Sequence, residues 1–412
     1  MASTADGLIV QITRRAADRL RQGHLWIYRS DIEAVTGEDT GAGIATVVDA
    51  RGIPLGSGIY SSASEIAVRL VASRAGLSRA EYLAQLHDRL QAALALRRSL
   101  VAEAFTPDSG TDACRLFFAE ADGLPGIIAD RYNDVVVLQL VTKSTARDDV
   151  RGVVRDALAA ESWAGIVVER PDPRIRELER LGPAPEGPLW QRKNASQQTV
   201  FHINGLAFHY DAGSGQKTGA FLDQRLNYEA AARVAHGRAL DVCTYQGGFA
   251  LHLARACSRV TGVDASRAAL EVADRNLELN RAQIAARVDW IEADAFELLR
   301  DFADNGDHFD TIVLDPPAFA KSKRAAEGAL RGYKELNLRA LKMLRDGGTL
   351  VTCSCSHHVD AAAFTDVVRS AAADAGRRVK LIESRGAAPD HPAILTLPES
   401  SYLKCLICRV SG

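Results

Sequence analysis

The chain has 412 residues, which at roughly 100–200 residues per domain predicts two to three domains. With 47% hydrophobic and 25% charged residues it is globular, which excludes a mostly disordered chain, a collagen or a disulfide miniprotein. Its 50 basic and 52 acidic side chains sum to −2, so it is neither histone-like nor an acidic tail, although a local nucleic-acid face stays open. Seven cysteines, an odd number set mostly in apolar runs, argue against a secreted disulfide framework. The N-terminus MASTADGLIVQITRRAADRL has no apolar core before a cleavage site, and no run approaches ~18 apolar residues. The expectation is a protein of a reducing cytoplasm with no membrane span.

Residues 1–78 read as a small all-β domain with strands LIVQIT, IATVVDA, PLGSGIYS and EIAVRLV between glycines. Its first 30 residues carry Arg14, Arg15, Arg19, Arg21 and Arg29 against Asp6 and Asp18. Trp26 and Tyr28 lie among them. Arginine beside aromatics suits a surface that holds phosphates and stacks bases, although a solvated basic turn with a half-buried Trp would look the same. Residues 79–200 read as a central α+β domain. A helix spans 78–104, where Leu and Ala recur at helical spacing. Strands flank Asp122–Gly126, a second turn falls at Tyr132–Asp134, a helix lies near 144–160, and strand GIVVER follows. Gly182–Gly187 is a Pro/Gly-rich loop near a boundary. From 201 to 412 strands and helices alternate, which predicts a doubly wound parallel sheet.

In that last domain, strand RALDVC runs through Asp241 into Cys243-Thr244-Tyr245-Gln246-Gly247-Gly248-Phe249. A glycine pair between strand and helix lets backbone N–H groups approach a ligand, but this is no GxGxxG and disfavours a dinucleotide. Asp264 ends the next strand, 23 residues on, and Ala265 and Ser266 follow it. A carboxylate there suits ribose hydroxyls, unless it merely caps a helix. Asp294, followed by Ala295, ends a third strand, near where an adenine edge would lie. Three strands ending in Asp point to an adenosine-bearing ligand at the C-terminal strand edge.

Asp315-Pro316-Pro317-Ala318-Phe319 places an acid on a stiff loop beside a flat aromatic. Such a group suits the amide or amidine edge of a base, or simply ends a strand. Cys353 and Cys355 lie two apart near the end of strand TLVTCSCS, facing one side, where they could equally be buried small hydrophobes. Cys405 and Cys408, three apart on a strand, diverge, so a convergent zinc site is not expected.

Eight segments add up to a resemblance: EADGLPGIIADRY, QKTGAFLDQR, CTYQGGFA, DPPAFAKSK, RGYKELN, SCS, DHP and YLKCLICRV. Over essentially its whole length the chain resembles the class I S-adenosylmethionine-dependent RNA methyltransferases. More closely, it looks like the bacterial 23S rRNA cytosine-C5 methyltransferases with an N-terminal PUA domain. The resemblance implies an α/β fold: a PUA domain, a central α+β domain and a Rossmann-like catalytic domain. It implies S-adenosylmethionine as cofactor, 23S rRNA as partner, no metal and, in some members, a homodimer.

By the same resemblance Lys217 to Arg225 wrap the cofactor's amino-acid end, with Asp223, Gln224 and Arg225 as polar candidates. Asp241, Thr244, Tyr245, Gly247, Gly248, Phe249, Asp264, Ala265, Ser266, Asp294, Ala295 and Asp315 complete the cofactor set. The family nucleophile falls on Cys355. Cys353 stands where the family often has an aromatic, which adds a second possible thiol. Asp315 is the acid partner. Pro316, Pro317 and Phe319 would face the base, and Arg14, Arg15, Arg19 and Trp26 the RNA backbone. His357 and His358 follow Cys355 closely, yet simply starting a helix would explain them.

Cysteine suits this chemistry. Cytosine C5 is a poor nucleophile until a thiolate adds to C6. Related purine-nitrogen methyltransferases share the Asp-Pro-Pro-x-Phe pattern but carry Asn where Cys355 stands. The chain could also be a non-catalytic RNA binder or a nicotinamide dehydrogenase. Intact Asp264, Asp315 and Cys355 weigh against the binder, and the missing GxGxxG against the dehydrogenase.

Overall fold

The computed structural model describes residues 7–38, 40–213, 220–319 and 326–412. Lys217, at the start of the expected cofactor-wrapping stretch, lies outside the described residues, as does the Ala-Lys-Ser-Lys end of DPPAFAKSK. The chain forms two compact units. The first takes residues 1–201, 210–219 and 390–400, and the second takes the rest.

The first unit opens with β1 (Leu8–Ile12), α1 (Arg14–Arg21), β2 (Trp26–Ile27), β3 (Ile32–Thr36), β4 (Ala42–Val48), β5 (Pro54–Ser61) and β6 (Val68–Ala72). They form one sheet in the order β2-β6-β5-β4-β1-β3. The all-β expectation is corrected here by α1. The basic turn is a helix, capped by Thr13 and burying Ala16, Ala17 and Leu20. Its apolar face packs with Val10, Ile12, Val47 and Val68. Next come α2 (Arg79–Leu100), β7 (Ala113–Phe118), β8 (Ile127–Tyr132), β9 (Val135–Leu140), α3 (Asp148–Ala159), β10 (Ile166–Glu169), α4 (Pro173–Leu178) and β11 (Trp190–Gln191). The reciprocal Ser78–Glu81 capping box starts α2. Five strands make a second sheet, β11-β10-β9-β8-β7.

A hairpin of β12 (Gln198–Ile203) and β13 (Leu206–Asp211) follows. The second unit is then α5 (Arg225–Val234), β14 (Arg238–Val242), α6 (Gly248–Leu253), β15 (Arg259–Asp264), α7 (Arg267–Leu279), β16 (Arg287–Glu292) and α8 (Ala295–Asp304). It continues with β17 (Phe309–Leu314), α9 (Ala326–Met343), β18 (Leu344–Ser354), α10 (Ala361–Asp374), β19 (Arg378–Arg385) and β20 (Lys404–Ser411). The sheet order is β16-β15-β14-β17-β18-β20-β19. Its first five strands are parallel, as alternation predicts. The last two differ from the parallel expectation, since β20 is antiparallel to both β18 and β19. Strand order reverses between β14 and β17, so a crevice opens at their C-terminal ends. Leu240, Val242, Ile312, Leu314, Leu336 and Phe364 are among the core residues that hold β14 and β17 rigidly beneath it.

Candidate active site

The loop after β14 is built for close approach. Cys243, Tyr245 and Gly247 all have positive φ, at 64°, 52° and 86°. The two non-glycine residues are held by backbone bonds around them, Thr244 N–H to Val263 O (2.9 Å) and Gly247 N–H to Thr244 O (2.9 Å). A Cβ on Gly248 would fall 2.7 Å from the Tyr228 ring, so only glycine fits there. Asp241 is fully buried. One carboxylate oxygen accepts from Thr244 Oγ1 (2.5 Å) and Ala250 N–H (2.9 Å), and the other, Oδ1, has no hydrogen-bond partner. Burial pushes its carboxyl up to about 7, against the pull of those two donors.

Asp264 sits at the end of β15. Its oxygens accept Tyr245 N–H and Ser266 N–H, each at 2.9 Å. An ionised carboxylate offers about four acceptor positions, so each oxygen keeps capacity for a further donor. Exposed Ala265 lies between, and Ser266 caps α7 through Ala269 N–H. Asp294 is exposed and caps α8, accepting Phe296 and Glu297 N–H through Oδ1, while Ala295 packs on the sheet core.

Asp315 follows β17 and accepts Gln224 Nε2 at 3.0 Å. Gln224 is braced in turn by Asn227 (2.7 Å). Burial first, then the Asp223 and Asp241 carboxylates, push Asp315 up to about 8. Asp223 accepts the Tyr402 hydroxyl at 2.5 Å, and Arg225 is buried at the start of α5. No cation among the described residues lies within 4 Å of Asp223, Asp241 or Asp315. A cavity lined by Phe208, Phe221, Tyr228, Cys243, Tyr245, Gly248, Phe249 and Asp315 opens beside these groups.

The structure separates the two candidate thiols. Cys353 is fully buried in β18, opposite Cys405 of β20. Cys355 lies just past the strand, only partly buried, with Sγ 3.9 Å from the Pro316 carbonyl oxygen. Burial, then Asp315 and Asp223, push its thiol up to about 11, and Lys404 opposes them. Pro316 is buried and Pro317 exposed. Phe319 packs its ring on Tyr333 (4.8 Å between centroids) and Phe296 (5.9 Å). His357 is exposed and lies against Tyr402.

The sequence reading missed three parts of this cluster. Tyr402 holds Asp223. Tyr333 bonds Ser356 (2.9 Å) beneath the Cys355 loop. Lys404 is buried at the start of β20. A lysine inside the apolar run YLKCLICRV was the available signal, since lysine is almost never buried without a task.

The basic-aromatic candidates belong to the first unit. Arg14 and Arg15 are exposed on α1. Arg19 is ion-paired with Asp31 and lies over the Tyr28 ring. Trp26 is half-buried and donates Nε1–H to Glu120 at 2.9 Å. Among the described residues no cluster of three or more His, Cys, Asp or Glu is placed to hold a metal, and no helix is long and apolar enough to cross a membrane.

Two family profiles match the chain. A PUA-like domain covers residues 10–73, and an S-adenosylmethionine-dependent methyltransferase domain covers 186–409. The ribosomal RNA large subunit methyltransferase I of Shewanella denitrificans is 38% identical over 395 residues, 95% of this chain and 96% of that protein. The enzymes of the same name from Pseudoalteromonas translucida and Escherichia coli are each 36% identical at the same coverage. This chain belongs to their family of S-adenosylmethionine-dependent methyltransferases. SMU.776, solved in complex with SAH, shares the fold at a TM-score of 0.80 and 18% identity, covering 97% of this chain and 99% of that one. The site fits the family's cofactor. The orphan oxygen of Asp241 suits an ammonium, the accepting capacity of Asp264 suits a diol, and the Gly247-Gly248 cradle admits a ligand against the backbone.

Proposed function

We propose that the chain methylates C5 of a cytosine in 23S rRNA through a covalent bond between Cys355 and C6. One observation carries the reading. A partly exposed thiol stands at the mouth of the sheet beside the Asp315-Pro316-Pro317 loop, while its neighbour Cys353 is sealed in the core. The relatives from Shewanella and Pseudoalteromonas are named for action on large-subunit ribosomal RNA, which supports the substrate class.

In this reading Asp223, Gln224, Arg225 and Asp241 hold the amino-acid end of S-adenosylmethionine. Thr244, Tyr245, Gly247, Gly248 and Phe249 form its cradle. Asp264, with Ala265 and Ser266, takes the ribose, and Asp294 with Ala295 lies near the adenine. Bound there, the cofactor supplies an electrophilic methyl carbon.

The chain's own residues do the rest. Cys355, once ionised, adds through Sγ to C6, and the C5–C6 electrons become available at C5. Asp315 holds its proton at neutral pH because burial raises it, and it gives that proton to N3 of the adduct. The C5 electrons form the bond to the methyl carbon. Loss of the C5 proton to a base then re-forms C5=C6 and expels Cys355 as thiolate, and N3 returns its proton to Asp315. Pro316, Pro317 and Phe319 wall the base, which must leave its stack to enter. Arg14, Arg15, Arg19 and Trp26 hold the flanking RNA.

The test compares wild type with Cys355→Ala and Cys353→Ala on unmodified 23S rRNA, with digested nucleosides read by mass spectrometry. The expected product is 5-methylcytidine, lost by about 10³-fold or more in Cys355→Ala and kept in Cys353→Ala. A methylated purine that survives both substitutions overturns the reading.

A further inference from the structure

Lys404 is 7% exposed and has no carboxylate within 4 Å among the described residues. Its ammonium donates instead to two backbone carbonyls, Ser356 O and Tyr402 O, each at 2.7 Å. Those two bonds use two of its three donors. Stability alone does not account for such a group. The two carbonyls need a donor, but a neutral amide would serve them without the cost of a buried charge. Position does account for it. Lys404 pairs with Ser354 across the β18–β20 ladder, and its Nζ reaches past the strand end to the carbonyl of the residue following Cys355.

The charges around Cys355 give this reach a purpose. Asp315, after β17, and Asp223, before α5, both oppose ionisation of the thiol. Tyr333 of α9 interacts electrostatically with the same thiol, and Asp360 before α10 with Lys404. Lys404 favours the Cys355 thiolate against Asp315 and Asp223.

We propose that Lys404 is a positioning residue whose buried ammonium stabilises the Cys355 thiolate and holds the loop that presents it. The inference rests on the reading of Cys355 as nucleophile. In the step it favours, the S–H bond breaks, the proton passes to solvent water and both bonding electrons stay on sulfur. Asp315, when protonated, removes one of the two opposing anions, and Lys404 answers the other.

The test is alkylation of the full-length protein by iodoacetamide across pH, with Cys355 resolved from the other six cysteines by peptide mass spectrometry. Lys404→Gln keeps a donor for the carbonyls and removes the charge. Lys404→Arg keeps the charge. Burial lowers the Lys404 ammonium to about 8, so its charge is present at neutral pH and lost above it. At pH ~7 alkylation of Cys355 is roughly tenfold slower in Lys404→Gln than in wild type. Lys404→Arg stays within about threefold of wild type. An unchanged rate at neutral pH in Lys404→Gln overturns the proposal. If that variant does not fold, a rate slowed about tenfold in a folded Lys404→Arg protein overturns it equally. Alkylation needs no RNA product. An unchanged rate alongside 5-methylcytidine lost in Cys355→Ala therefore overturns only the role of the lysine.

Discussion

In the first unit Arg97 and Asp122 are both enclosed, joined by two 2.7 Å bonds, and two further donors of Arg97 go to the carbonyls of Arg115 and Asp390. Arg115–Asp130 and Arg151–Glu169 repeat the arrangement. In the second unit Asp241 is enclosed and Asp315 half-buried at the cavity wall, and among the described residues both have neutral donors only. Asp264 raises Asp241 further, and Asp223 and Asp241 raise Asp315. A buried charge left unpaired is costly, so a fold tolerates it where a ligand offsets the cost. The first unit uses charge to fix its own shape. The second leaves these carboxylates without a cationic partner among the described residues.

The largest effect expected from this contrast is in the first unit. Arg97→Met leaves Asp122 buried without its partner and should cost about 3–5 kcal/mol in urea unfolding. A loss below about 1 kcal/mol would place that pair outside the framework of the unit.

The second unit should behave in the opposite sense. The unfolded chain releases the protons of Asp241 and Asp315 near 3.8, whereas the folded chain holds them to about 7 and about 8. Between about pH 4 and 8 the folded state thus binds more protons, and its stability falls as pH rises through that window. The cofactor-free protein should melt progressively lower from about pH 5 to 8.5. Asp315→Asn should flatten that fall and match or exceed wild-type stability at the alkaline end, while weakening cofactor binding measured by calorimetry. A pH dependence identical in wild type and variant would remove Asp315 from the contrast.

The smallest effect concerns the exposed arginines of α1, of which Arg14 makes only a long, exposed ion pair with Asp18 (3.9 Å). Arg14→Gln with Arg15→Gln should reduce RNA affinity a few-fold and flatten the salt slope by about 1 per lost phosphate contact. Arg19→Gln should act less on binding, because Arg19 already answers Asp31. Filter binding at several salt concentrations separates the cases. Equal effects of the three would mean that the Arg19–Asp31 pair opens for RNA.

Local pattern in the chain was enough to reveal the strand–helix alternation, the Gly247-Gly248 turn and the three acids on β14, on β15 and just past β16. Asp-Pro-Pro and Ser-Cys-Ser were legible for the same reason. Helix α1 was not, since its eight residues carry only three buried side chains within a basic run. The reversal of β20 was hidden too, because strand direction is set by neighbours distant in sequence. Which thiol is reachable also depends on packing in three dimensions. Cys353 and Cys355 share one motif, but pairing with Cys405 seals the first, while the strand ends before the second. The same packing brings Lys404, 49 residues beyond Cys355 in the chain, onto the carbonyl of the residue that follows it. Burial and Coulomb interaction depend on distance in space, and the β18–β20 ladder sets that distance.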